Sequence, residues 1–138
     1  MISDPVAHSE LRTAWEGVKI LRDRIQRSAL AGFATAGLPQ PFLADVSYNP
    51  PFIHAFAVLN DVLLQLRDEG HFGCKTIFLG GLVDASASVL PWLDLGLIKQ
   101  GIDKRNDVAH RGVMLPRKEC WKYIDTIYAQ LVAWRVLP

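Results

Sequence analysis

Apolar residues along this chain recur at steps of three and four, the spacing of one face of an α-helix. Leu11, Ala14, Val18, Leu21, Ile25 and Ala29 form the first such stripe. Asp4-Pro5 ahead of it reads as an N-cap followed by proline at the first helical position. The stripe predicts a long first helix ending near Gly37-Leu38-Pro39, then a proline-containing loop over residues 39–51. Asn49-Pro50 repeats the cap signal. Phe56, Leu59, Leu63 and Leu66 predict a second helix, closed by Gly70 in the left-handed conformation.

Residues 71–91 are open to two readings. Lys75 to Gly81 fits a strand entering a glycine turn, but no phosphate-binding glycine motif follows. The preferred reading is a third helix from about Thr76 to Leu90, with Phe78, Leu82 and Val89 inward. A fourth helix is predicted from about Trp92 to Arg111, bent at Gly101 and stopped by Gly112 and Pro116. The last runs from about Arg117 to Leu137, where Cys120, Ile124, Ile127, Leu131 and Trp134 step 4-3-4-3, with Tyr128 and Val132 beside them. Short connections make sequential helices neighbours. The pattern therefore predicts an all-α fold, a four- to five-helix up-and-down bundle forming one domain over residues 1–138.

Composition narrows the picture. Of 138 residues, 50% are hydrophobic and 21% charged, which excludes a largely disordered chain. A net charge of +1 removes any global bias toward nucleic acid or an anionic membrane, so an anion site must come from a local cluster. The longest uncharged run, Ser28 to Ala44, holds two prolines and two glycines and cannot be a spanning helix. No apolar leader core opens the chain. Cys74 and Cys120 are too few for a disulfide framework and are read as reduced, in a cytoplasmic protein. His71 and Cys74 have a metal-ligand spacing, but no second pair completes a zinc set. No metal or cofactor is expected.

The chemistry concentrates in Arg105-Asn106-Asp107-Val108-Ala109-His110-Arg111-Gly112. On a helix, Arg105 falls in the apolar stripe with Ile98, Ile102, Val108 and Ala109. An arginine there must meet a carboxylate, such as Asp84, Asp94 or Asp103, or line a sheltered cleft. Asn106 and His110 are one turn apart. Arg105 and His110 are about 140° apart and bracket a groove. Histidine exchanges a proton near neutral pH. Arginine offers a planar fork to phosphate oxygens. Together they suit phosphodiester cleavage through a ribose 2′-hydroxyl. The alternative is a surface histidine suited to a helix C-terminus, with a structurally paired arginine.

These residues resemble the R-N-x-x-x-H signature of HEPN domains, which lies near the end of a helix and is followed by one more amphipathic helix. The resemblance implies a small all-α dimeric fold. It also implies a metal-independent endoribonuclease of toxin–antitoxin or phage-defence systems, with RNA as substrate and an antitoxin protein as possible partner. Arg105 and His110 match the catalytic pair, and Asn106 the polar residue after the arginine. In one subgroup a tyrosine two positions after the histidine is modified by a partner; here that position is Gly112. Lys104 and Arg111, with Lys118 beyond the turn, would add positive charge for RNA. A homodimer would pack Ile102, Val108 and Ala109 against their copies and line one cleft with both Arg–His pairs. The other readings are a silent HEPN-like module that binds a nucleotide or a protein, and a plain helical dimerisation domain.

Overall fold

A computed structural model describes residues 1–35 and 47–138, and the side chains of all but 28–35 among them. The expected end of the first helix and most of the expected loop lie outside these residues. Five helices and no strand make up the described part: α1 (Pro5–Thr35), α2 (Asn49–Asp68), α3 (Leu79–Ser86), α4 (Leu95–Arg111) and α5 (Arg117–Ala133). The fold is an all-α bundle.

The centre is α2, which packs against each of the other four helices. Phe52, Ala55, Phe56, Val58, Leu59, Val62, Leu63 and Leu66 are all buried, so this helix is apolar nearly all round. Only a narrow stripe containing His54, Ala57 and Asp61 stays open. The end of α2 is fixed by Gly70 at φ +84°. There the Gly70 N–H donates to the Arg67 carbonyl and the His71 N–H to the Leu66 carbonyl, which satisfies two terminal carbonyls. Asp4 caps α1 as expected, its Oδ1 accepting from the Val6 N–H at 2.9 Å. The predicted stripe of α5 is buried throughout, from Cys120 to Trp134.

Several expectations change. Asn49 does not cap α2. It is the first helical residue, and its side chain reaches the Leu115 backbone, donating to the carbonyl at 3.0 Å and accepting from the N–H at 2.9 Å. The third helix starts three residues late and ends early, with Phe78 and Val89 exposed rather than inward. Its late start has a local cause. The Thr76 hydroxyl accepts from the Phe78 N–H at 3.1 Å, a turn that competes with helix and leaves Phe78 extended. Pro91 sets the outer limit of this segment, since it disfavours helical backbone at Leu90 and has no N–H to donate to Ala87.

The fourth helix likewise starts at Leu95, where Asp94 accepts from the Leu97 N–H at 2.9 Å. Ahead of it, Gln130 of α5 and Trp134 just past its end both donate to the Pro91 carbonyl at 3.1 Å, and Gln130 accepts from the Leu93 N–H at 2.7 Å. Gly101 lies inside one continuous α4. A Cβ there would sit 2.6 Å from Phe56 and 2.8 Å from Tyr123, so glycine is what lets α4 seat closely on α2 and α5.

Candidate functional site

Close seating at Gly101 sets the position of the turns that follow it on α4. Ile102 is buried and anchors the helix, while Arg105, Asn106 and His110 emerge on one side. All three line a single cleft of about 540 Å³. The open stripe of α2 gives the cleft Ala57, Asn60 and Asp61. The start of α3 gives the opposite wall, Ile77 to Gly81. Arg67 supports that wall from behind by donating to the Thr76 carbonyl at 3.0 Å.

The guanidinium of Arg105 is half-buried. Its Nε is inaccessible to water and has no acceptor among the described residues. Its Nη1 donates to Asn106 Oδ1 at 3.1 Å. A guanidinium only donates, so the amide oxygen faces it and the Asn106 NH₂ keeps its donors for something else. Arg105 has no carboxylate within ion-pair distance among the described residues. Asp84 is taken by Lys99 at 3.0 Å, and Asp94 caps α4. Asp103 is exposed and makes no ion pair with Arg105. His110 sits exposed in the last turn of α4, its ring free of protein partners among the described residues. Gly112, at φ +65°, ends the helix after Arg111, two residues beyond His110.

The other charges expected to help do not line this cleft. Lys104 is half-buried elsewhere on α4. Arg111 is largely exposed and pairs with Asp107 at 3.7 Å, the i,i+4 geometry of a surface pair. Ile102 is 7% exposed within its own chain and lines the same cleft with what it shows. Val108 instead borders an apolar groove of about 620 Å³ with Leu21, Ile53 and Met114; this groove shares Ala57 with the cleft.

No group of three or more His, Cys, Asp or Glu side chains among the described residues has the arrangement of a metal site. His71 faces the Met1 carbonyl at 3.1 Å, and the Cys74 thiol points to the Gly81 carbonyl. No described helix is long and apolar enough to cross a membrane.

The walls supplied by α2 and by residues 77–81 were not visible in the sequence motif. The one local signal was Gly80-Gly81. A side chain at Gly81 would strike Thr76, so small residues are required where α3 meets the turn before it. No protein-family model, curated protein or solved structure matches the chain.

Proposed function

We propose that the chain is an endoribonuclease that cleaves RNA by attack of a ribose 2′-hydroxyl on the adjacent phosphate, with no metal ion in the step. One observation carries this reading: Arg105, Asn106 and His110 share a cleft in which the guanidinium meets no carboxylate. In the step, His110 takes the proton of the 2′-hydroxyl as its oxygen bonds to phosphorus. The bond from phosphorus to O5′ breaks, and O5′ receives a proton. The products are a 2′,3′-cyclic phosphate and a 5′-hydroxyl. Arg105 and the Asn106 amide donate to the non-bridging oxygens, where negative charge grows.

One imidazole supplies the base, while O5′ needs an acid. A second copy of the chain, docked beside the cleft on the groove that contains Val108, would bring another His110 for that role. The resemblance to HEPN domains adds the setting: a cytoplasmic toxin or phage-defence effector restrained by an antitoxin protein.

The test is incubation of the purified chain with RNA in EDTA, beside Arg105→Ala and His110→Ala. Each variant should lose about 10²-fold or more of the cleavage rate while its helical content is unchanged. DNA, which lacks the 2′-hydroxyl, should be inert. Cleavage by His110→Ala at the wild-type rate would remove the mechanism. Loss of activity in EDTA, restored by a divalent ion, would replace it with metal-assisted hydrolysis. Light scattering should return twice the chain mass.

A further inference from the structure

The cleavage chemistry leaves Phe78 and Asp61 unused, although both line the cleft with Arg105. Phe78 is 75% exposed, more than any other large apolar side chain among the described residues. Nothing in the packing of the bundle requires a phenyl ring there. The backbone beneath it is nevertheless held: its N–H donates to Thr76 Oγ1 at 3.1 Å, and the Thr76 carbonyl is bound by Arg67 at 3.0 Å. An exposed aromatic ring on a held backbone, in one cleft with a cation, is a platform on which a nucleobase can stack. The adjacent Gly80 contributes no side chain to that wall, and a Cβ placed on it would meet nothing within 4 Å.

Asp61 gives the second, independent observation. It makes no ion pair among the described residues, even with Arg105 in the same cleft. A carboxylate repels phosphate, so it does not belong to the phosphate end. It is the acceptor that matches amino and imino N–H groups on a base edge. Guanine presents N1–H and N2–H₂ side by side, which one carboxylate accepts together. Uracil presents a single N–H between two carbonyl oxygens, which would face the carboxylate unfavourably.

We infer that the cleft takes a nucleotide of single-stranded RNA as a unit, its phosphate at Arg105 and Asn106, its base stacked on Phe78, and its amino edge on Asp61. This makes Phe78 and Asp61 specificity-determining residues, with guanine preferred beside the cleaved phosphate. The assignment rests on the endoribonuclease reading of the same cleft. The cleft volume, about 540 Å³, lies within the range of about 300–1,000 Å³ typical of small-ligand sites.

The test uses DNA oligonucleotides with one ribonucleotide, so that a single phosphate is cleavable. The bases on either side of that phosphate are varied or replaced by abasic sites. Wild type should cleave guanine substrates about tenfold or more faster than uracil ones in kcat/KM. The abasic substrate should cost wild type about tenfold or more, chiefly in KM. Phe78→Ala should cost the same, and removing the base should then cost that variant nothing further. Phe78→Trp should retain the wild-type response, and Asp61→Asn should bring guanine and uracil close together.

If Phe78→Ala and base removal instead multiply as independent losses, or Asp61→Asn leaves the ranking intact, the base site is wrong while the cleavage chemistry stands. If wild type cleaves no RNA, the endoribonuclease reading fails. Anisotropy of fluorescent all-deoxy oligonucleotides then decides the base site. Guanine-selective binding lost in Phe78→Ala keeps it, and binding indifferent to Phe78 or no binding at all ends it.

Discussion

Replacing Asn49 by alanine removes both arms of the clamp that holds the connection between α4 and α5. Asn49 is 2% exposed and Leu115 4%, so water does not substitute for the lost amide. The Leu115 N–H, bound at 2.9 Å in the wild type, loses its amide acceptor, while the carbonyl, bound at 3.0 Å, keeps only the weak thiol donor of Cys120 at 3.9 Å. An orphaned buried group costs about 1–3 kcal/mol, so the N–H alone sets a loss of about 1–3 kcal/mol, and the weakened carbonyl adds to it. That is a large share of the roughly 5–15 kcal/mol by which a domain is stable.

Urea unfolding followed by tryptophan fluorescence should show a lower midpoint with an unchanged slope. The Asn49→Asp variant separates the two arms. It keeps an acceptor for the Leu115 N–H but turns a charged oxygen toward the carbonyl. Burial beside the carbonyl raises this carboxyl's pKa, so the variant should recover stability relative to Asn49→Ala as the pH falls toward about 4, where the carboxyl holds a proton and can donate. A loss under about 1 kcal/mol for Asn49→Ala, or no recovery of Asn49→Asp in acid, would refute the clamp. Because this connection leaves α4 after Arg111, next to His110, cleavage should fall in step with stability.

Gly101→Ala sets a helix-propensity gain of about 1 kcal/mol against overpacking of about 1–3 kcal/mol. The intruding Cβ meets two fully buried rings that cannot swing away, so the variant should unfold at lower urea. Gly80→Ala, with nothing within 4 Å, should gain about 0.4–1 kcal/mol; the same sign for both would refute the packing argument. Glu69 is held at a pKa of about 2, first by the Gln65 amide and then by the Ser3 and Asp4 backbone N–H groups. A carboxyl depressed from 4.5 stabilises the fold above 4.5, and that contribution is lost as the pH falls toward 2. The stability difference between wild type and Glu69→Gln, read from thermal unfolding, should therefore shrink across that window, and a constant difference would contradict the assignment.

Much of the fold was legible because single helices write their buried face into one period. The stripe of α5, the Asp4 cap and the Gly70 stop each depend on neighbours within a few residues. What was not legible depends on residues far away in sequence. The start of α4 is delayed to Leu95 because Gln130 and Trp134 hold the Pro91 segment out of the helix. Asp94 marks the start locally as a capping residue, but the reason residues 91–93 stay outside the helix lies on a distant segment. Asn49 carried a correct helix-start signal with the wrong use, since its partner is Leu115 rather than its own helix. Phe78 and Val89 followed the apolar pattern yet lie outside, because pattern alone cannot tell a buried ring from one left uncovered at a cleft. The site divides the same way. Arg105, Asn106 and His110 share one helix and were found together, whereas Asn60, Asp61 and Phe78 join them only through the packing of α2 and α3.

The charges of α4 and its neighbours separate the structural role of the motif from a chemical one. Lys99 has Asp84, Arg111 has Asp107, and Asp94 has the first turn of its helix. Arg105 has only a neutral amide, with its Nε inaccessible and without an acceptor among the described residues. A half-buried guanidinium gives up hydration, and an ion pair is the usual compensation. Stability alone would favour an apolar residue at this position, one turn beyond the buried Ile102 and Gly101. A local rule broken without a compensating contact is the mark of a functional position. Phe78, an exposed ring that the bundle does not bury, breaks the same kind of rule, and Asp61 adds to the same cleft a carboxylate without an ion pair among the described residues. The three are unfavourable or neutral for folding, and they share one cleft. An anion with an aromatic, amino-bearing portion satisfies all three at once, which is why the nucleotide reading accounts for the cleft better than a surface arginine and a capping histidine do.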